Sequence, residues 1–251
     1  MADHFEPFKH NPVNASFLVA SSLPSSITLS PKDNPTHHDR DGVTQYEIFI
    51  HTHPTAVPVA YAKVGSLVPE ILKEYADRNN GTHPDLIVHM GIASTRGYYT
   101  VETQAHRDQY QMPDIDGKVD YESEKLWKEQ GLPEILRPGP SEEFDTEIIR
   151  ISSSPKIIPY PPNEHFLQIW KSFAPQGADI RISYDAGRYL CEFIFFTSMA
   201  LAHQAGRERA VIFYHVPSWC DEESVNTAKE IAIALIKTMV TCWIEEAGLK
   251  A

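Results

Sequence analysis

Short apolar runs alternate with helical periodicities along most of the chain. "YEIFIH" (46–51), "ADIRISY" (178–184) and "AVIFYHV" (210–216) read as strands. "PDLIVHMGIAS" (84–94) has the unbroken apolar character of a buried parallel strand, and "EIIRISS" (147–153) reads as a further strand. The helical segments fall between them. "NASFLVASSLP" (14–24) predicts a short helix capped by Asn14 and stopped before Pro24. Residues 61–81 carry apolar positions three and four apart and end at Gly81. "HFLQIWKSFA" (165–174) predicts another helix, and 187–206 a helix apolar on nearly every side, hence deeply packed. The last helix, 222–247, opens on acids that suit the positive end of a helix dipole. Strands alternating with helices predict an α/β fold with a largely parallel sheet.

Two stretches break the pattern. Residues 25–43 are rich in Ser, Pro, Asp and His and read as a surface loop. Residues 107–146 are charged and aperiodic, with one short helix around "ESEKLWKEQG". The 251 residues therefore read as one domain, 1–251, with two polar excursions. The formal charge of −12 repels phosphate backbones and anionic lipid, so neither nucleic acid nor membrane is an expected partner. No apolar run reaches the roughly 20 residues of a membrane helix, and "MADHFEPF" lacks a signal-peptide core. Three cysteines are too few and odd in number for a disulfide scaffold. A cytoplasmic protein is expected; a homo-oligomer is left open.

Three reactive side chains fall in equivalent places. Cys191 follows one strand, His215 ends another, and Glu102 lies in the loop after 84–94. In an open α/β sheet, ligands bind beyond the carboxyl ends of the strands. A thiol near a helix start meets unpaired N–H groups that favour thiolate and can hold an oxyanion. A histidine takes the thiol proton, and a carboxylate orients the ring. The plainer readings stand beside this one. A lone cysteine in an apolar helix is more often core, a histidine at a strand end can simply bond backbone, and a glutamate alone carries almost no signal. His51 and His53 have a spacing some metal sites use but no obvious third ligand. "GIASTRG" (91–97) matches no phosphate-loop spacing.

The chain resembles the pyroglutamyl-peptidase I family of cysteine peptidases, in four motifs that occur in order. Ser183, Ala186, Gly187 and Cys191 match its nucleophile run; His215-Val216-Pro217 matches its His-Val/Ile-Pro. Gly91, Ala93, Arg96 and Glu102 match the run that carries its acid, and Phe5, Pro7, Phe8, Asn14 and Ser16 echo its N-terminal motif. The resemblance implies a three-layer α/β/α sandwich that removes N-terminal pyroglutamate from peptides, with no metal or cofactor. It implies Cys191 as nucleophile, His215 as base then acid, and Glu102 as the group orienting the ring. Phe5, Phe8, Ile92, Tyr189 and Leu190 match positions lining the pocket for the lactam ring. The long excursions resemble fungal members.

Four departures accompany these matches. Only Met1 to His4 precede Phe5, so either the reading frame is truncated or the sheet lacks the family's first strand. Thr103 and Gln111 stand where the family has arginines, and Glu192 where it has asparagine. A Glu192 side chain facing Cys191 would raise the thiol pKa. These departures motivate a second expectation, a catalytically impaired relative that binds a peptide end or small lactam without turnover.

Overall fold

Two largely apolar strands form the centre of the sheet because each is buried on both faces. In a computed structural model describing residues 1–5, 13–30, 45–139 and 162–250, they are β4 (Ile87–Ile92) and β9 (Val211–Val216). They run parallel, with Gly91 paired to His215 and Ile92 to Val216. Their side chains alternate as strand geometry requires. Val88, Met90, Ile212, Tyr214 and Val216 enter one core, while Ile87, Val211 and Phe213 enter the other.

The first core is closed by α1 (Ala15–Ser21), α4 (Glu164–Phe173) and α6 (Glu222–Lys250). Trp170 of α4 is wholly buried there and donates its indole N–H to the Ile231 carbonyl at 3.2 Å. The second core is closed by α2 (Tyr61–Arg78) and α5 (Leu190–Gln204). Helices therefore cover both faces of the sheet, giving the α/β/α layering. Asn14 caps α1 by accepting from the Ser16 N–H at 3.0 Å. Gly81 ends α2 in the left-handed region, φ +83°, and its N–H returns to the Ala76 carbonyl.

The sheet has five strands in the order β1-β4-β9-β5-β8, with β1 at Ala2–His4, β5 at Tyr99–Glu102 and β8 at Ile180–Ser183. Only β5 against β9 is antiparallel; the other pairings are parallel. The expectation of a missing first strand is corrected, for β1 is present with three residues. So short a strand holds because both its edges are satisfied. Ala2 and His4 pair with Val88 and Met90 on β4. On the other side the Ala2 N–H donates to the His51 carbonyl, and the His53 N–H to the Ala2 carbonyl.

Two more expectations change. Residues 25–43 were expected as loop, yet Ser26–Leu29 forms β2, antiparallel to β3 (Tyr46–Phe49) and apart from the main sheet. Glu102 lies not in a loop but at the end of β5. Both strands have four residues, too short to show a period amid polar neighbours. The excursion after β5 carries a ribbon of β6 (Ala105–His106) and β7 (Ile135–Leu136), and α3 (Glu122–Glu129). The strand expected at 147–153 lies outside the described residues. Among the described residues, no helix is long and apolar enough to cross a membrane.

Helix α5 is held by an aromatic cluster. The Phe193 ring lies 5.0 Å from Tyr61, 5.2 Å from Tyr110 and 5.2 Å from Trp127, centroid to centroid. Phe193→Ala should lower stability by about 3–5 kcal/mol, seen as a lower urea midpoint with unchanged slope. A loss under about 1 kcal/mol would mean that the cluster collapses around the cavity and does not anchor α5.

Candidate active site

Strand register brings the three expected residues to one rim. Gly91 and His215 are paired partners on adjacent parallel strands, roughly 5 Å apart. Over Gly91 sits the Cys191 sulfur. A Cβ built on Gly91 would lie 2.9 Å from Sγ and 2.8 Å from the Phe213 ring, so only glycine leaves the sulfur its place. On the other side of β9, Glu102 of β5 pairs with Phe213. From there its carboxylate reaches the imidazole, where His215 Nδ1 donates to Glu102 Oε1 at 2.8 Å. The histidine and the glutamate are buried, and Cys191 is half-buried.

One carboxylate oxygen collects three donors. Besides the imidazole, Arg96 Nη1 donates to Oε1 at 2.9 Å and the Thr100 hydroxyl at 3.0 Å. Burial pushes the Glu102 carboxyl up, but the His215 ring, the nearby Ser183 hydroxyl and the Arg96 guanidinium outweigh it and hold the group below the usual carboxylate range. An ionised carboxylate only accepts, so Nδ1 carries a proton, and in the neutral tautomer Nε2 is the acceptor. Arg96 also donates from Nη2 to the Asp185 carbonyl at 2.9 Å. That bond ties the acid to the turn leading into α5. The turn itself needs Gly187, at φ +81°, whose N–H donates to Asp185 Oδ1.

Cys191 occupies the first turn of α5, which begins at Leu190 with Tyr189 as its cap. The first bond along the helix runs from the Phe193 N–H to the Tyr189 carbonyl. The amides of Leu190, Cys191 and Glu192 therefore have no acceptor within the helix and can face a developing oxyanion. The thiol is not activated at rest. Burial pushes it up to about 12; the Glu102 charge adds to this, while Arg96 and the residue's own amide oppose it. Among the described residues, no hydrogen bond joins Sγ to the His215 ring.

Glu192 turns elsewhere. Its carboxylate accepts from Arg188 Nη1 at 2.8 and 3.0 Å and from His106 Nδ1 at 2.8 Å, and its charge contributes least to the raised thiol. The expected pocket residues separate. Tyr189 is half-buried at the helix start, and its hydroxyl donates to the Pro113 carbonyl at 3.2 Å. Phe5 and Leu190 are buried in the α2–α5 core. The Ile92 side chain packs with the core on the opposite face of the sheet from the thiol. Phe8 lies outside the described residues. Gln111 is exposed on the excursion.

In the sequence Arg96 is a motif position with no evident task, and nothing there singles out Thr100. Two residues before Glu102 on one strand, Thr100 faces the same side, a signal available once β5 is known. His53 Nδ1 donates to the Thr55 carbonyl, and the His51 ring packs edge-on against Tyr75. Among the described residues, no group of three His, Cys, Asp or Glu side chains is arranged to hold a metal ion. An apolar cavity lined by Ile236, Met239 and Trp243 lies at the other end of the strands and touches none of the triad.

The raised thiol fixes how Cys191 should respond to pH. Alkylation by iodoacetamide, read on the Cys191 peptide, should climb steadily from pH 7 to about 9.5 and stay below that of free cysteine, whose thiol titrates near ~8.5. A plateau near neutrality would instead reveal a resting thiolate.

Known proteins are similar to the chain in sequence and in fold. No family model matches the chain. Human pyroglutamyl-peptidase 1 is 26% identical over 215 residues, 85% of this chain and 76% of its own length. Pyrrolidone-carboxylate peptidase of Pyrococcus furiosus is 25% identical over 190 residues, 74% of either chain. Among solved structures, pyrrolidone carboxyl peptidase from P. furiosus superposes with a TM-score of 0.61 at 17% identity, covering 96% of this chain and 97% of that one. Its counterpart from Thermococcus litoralis gives 0.59 at 18%, covering 100% and 94%. The chain is thus similar to pyroglutamyl peptidases at about a quarter identity and shares the fold of the pyrrolidone carboxyl peptidases.

Proposed function

We propose that the protein is a cysteine exopeptidase that removes pyroglutamate from the N-terminus of peptides, with Cys191, His215 and Glu102 as its catalytic residues. The observation that carries this reading is the Glu102–His215 hydrogen bond beside a sulfur seated over His215's strand partner, Gly91. In the first half-reaction His215 Nε2 takes the thiol proton as Sγ attacks the carbonyl carbon of the pyroglutamyl residue. The new oxyanion faces the first-turn amides of α5. As the C–N bond breaks, the imidazolium gives its proton to the leaving amine, and a thioester remains. In the second half-reaction His215 takes a proton from water, hydroxide adds to the thioester, and pyroglutamate leaves as the thiol regains its proton. Because the thiol rests protonated, transfer to His215 accompanies attack in this scheme and does not precede it.

Tyr189 and Phe5, with Phe8 and Leu190, are the residues we assign to the lactam pocket; Ile92, whose side chain lies in the opposite core, is not among them. A flat neutral ring suits an aromatic slot with few polar contacts. The two long excursions support a fungal-type member.

The raised thiol and the missing sulfur–imidazole hydrogen bond favour a second reading, a relative that binds pyroglutamate without cleaving it.

A fluorogenic pyroglutamyl amide separates the two. Wild-type protein should release the fluorophore, and Cys191→Ala or His215→Gln should each lower kcat by about three orders of magnitude or more. Cleavage by Cys191→Ala at the wild-type rate would overturn the mechanism. Calorimetric binding of pyroglutamate with no cleavage by the wild type would establish the second reading.

A further inference from the structure

The residue after the proposed nucleophile is a wholly buried glutamate. A lone carboxylate in that position would be costly, yet Glu192 is met from two directions. Arg188, one turn earlier, donates from Nη1 to both carboxylate oxygens, at 3.0 and 2.8 Å. His106 comes from β6 on the excursion. Its backbone N–H reaches Oε1 at 3.2 Å and its Nδ1 at 2.8 Å. Glu192 is therefore the point where the first turn of α5 is bonded to a segment 86 residues earlier.

That segment continues across the aromatic cluster. The Tyr110 hydroxyl donates to the His106 carbonyl, and the Tyr110 ring packs on Phe193 and Tyr61. Tyr61 donates its hydroxyl to the Met112 carbonyl, and Tyr189 donates to the Pro113 carbonyl. Residues 106–113 thus form a wall beside Tyr189, pinned at one end by Glu192 and at the other by two tyrosine hydroxyls.

We propose that Glu192 is a positioning residue that fastens this wall to the turn carrying Cys191 and so sets the fit of the substrate pocket. The pocket's role rests on the function proposed above; the fastening does not. A neutral side chain of the same shape would keep the fold and weaken the junction, since the bonds lost are charge-assisted.

Glu192→Gln tests this by two independent readouts. Losing charge-assisted hydrogen bonds should raise KM for a pyroglutamyl amide about tenfold and leave kcat within about threefold. The His106 amide, bonded directly to the carboxylate, should exchange hydrogen about tenfold faster, while the β9 amides keep their protection. Arg188→Gln should lower the melting temperature, because it leaves the buried charge poorly answered. Adding Glu192→Gln to it should recover part of that loss. Unchanged KM and unchanged His106 exchange in Glu192→Gln would overturn the proposal, as would a fall confined to kcat. If the wild type cleaves nothing, the functional reading fails, and the exchange rate at His106 still decides the fastening.

Discussion

The site depends on a carboxylate that stays ionised although protein surrounds it. Glu102 is buried, and a lone carboxylate in such a place would take a proton. Three donors from three places prevent this: the His215 ring, the Arg96 guanidinium and the Thr100 hydroxyl converge on Oε1. The charge in turn selects the imidazole tautomer, and the tautomer decides which ring nitrogen is left to accept a proton. Arg96 extends the constraint further by holding the Asp185 carbonyl. The acid, the base and the turn before the nucleophile are thus tied through one guanidinium.

Register does the rest. Gly91 and His215 are partners across β4 and β9, and Glu102 and Phe213 across β5 and β9. A slip by one residue would turn the histidine to the opposite core. The apolar alternation along β4 and β9 forbids such a slip, because Val88, Met90, Ile212 and Tyr214 would have to exchange faces with Ile87, Val211 and Phe213. Packing of two separate cores therefore fixes the geometry of a polar site at the rim of one of them. The same burial raises the thiol, so chemistry at Cys191 has to draw on proton transfer to His215.

Much of this was legible from residues alone. The long amphipathic helix at 61–78, the buried strands at 87–92 and 211–216 and the helix at 190–204, apolar on nearly every side, each carry a strong period or a long apolar run. Cys191, His215 and Glu102 were legible as a set through motif order, and register then brought them to one rim. Short elements were not. Ser26–Leu29 and Tyr99–Glu102 have four residues each and acquire their meaning only from a partner strand distant in sequence. Long-range polar partners were equally silent. Nothing near Glu192 announces His106, because such a pairing is made by the fold; Arg96 stands in the same motif as Glu102, six residues before it, but its bond to the acid depends on how the chain turns into β5. Ile92 shows the limit of position matching, since its strand parity sends its side chain to the other core.

The central claim is that ionised Glu102 fixes the tautomer of His215, with a proton on Nδ1, so that Nε2 is the nitrogen that takes the thiol proton. Nitrogen-15 NMR of the histidine rings across a pH titration, with His215 assigned by a His215→Gln variant, reads this directly. The account predicts that the neutral ring carries its proton on Nδ1. A neutral ring protonated on Nε2 would contradict it.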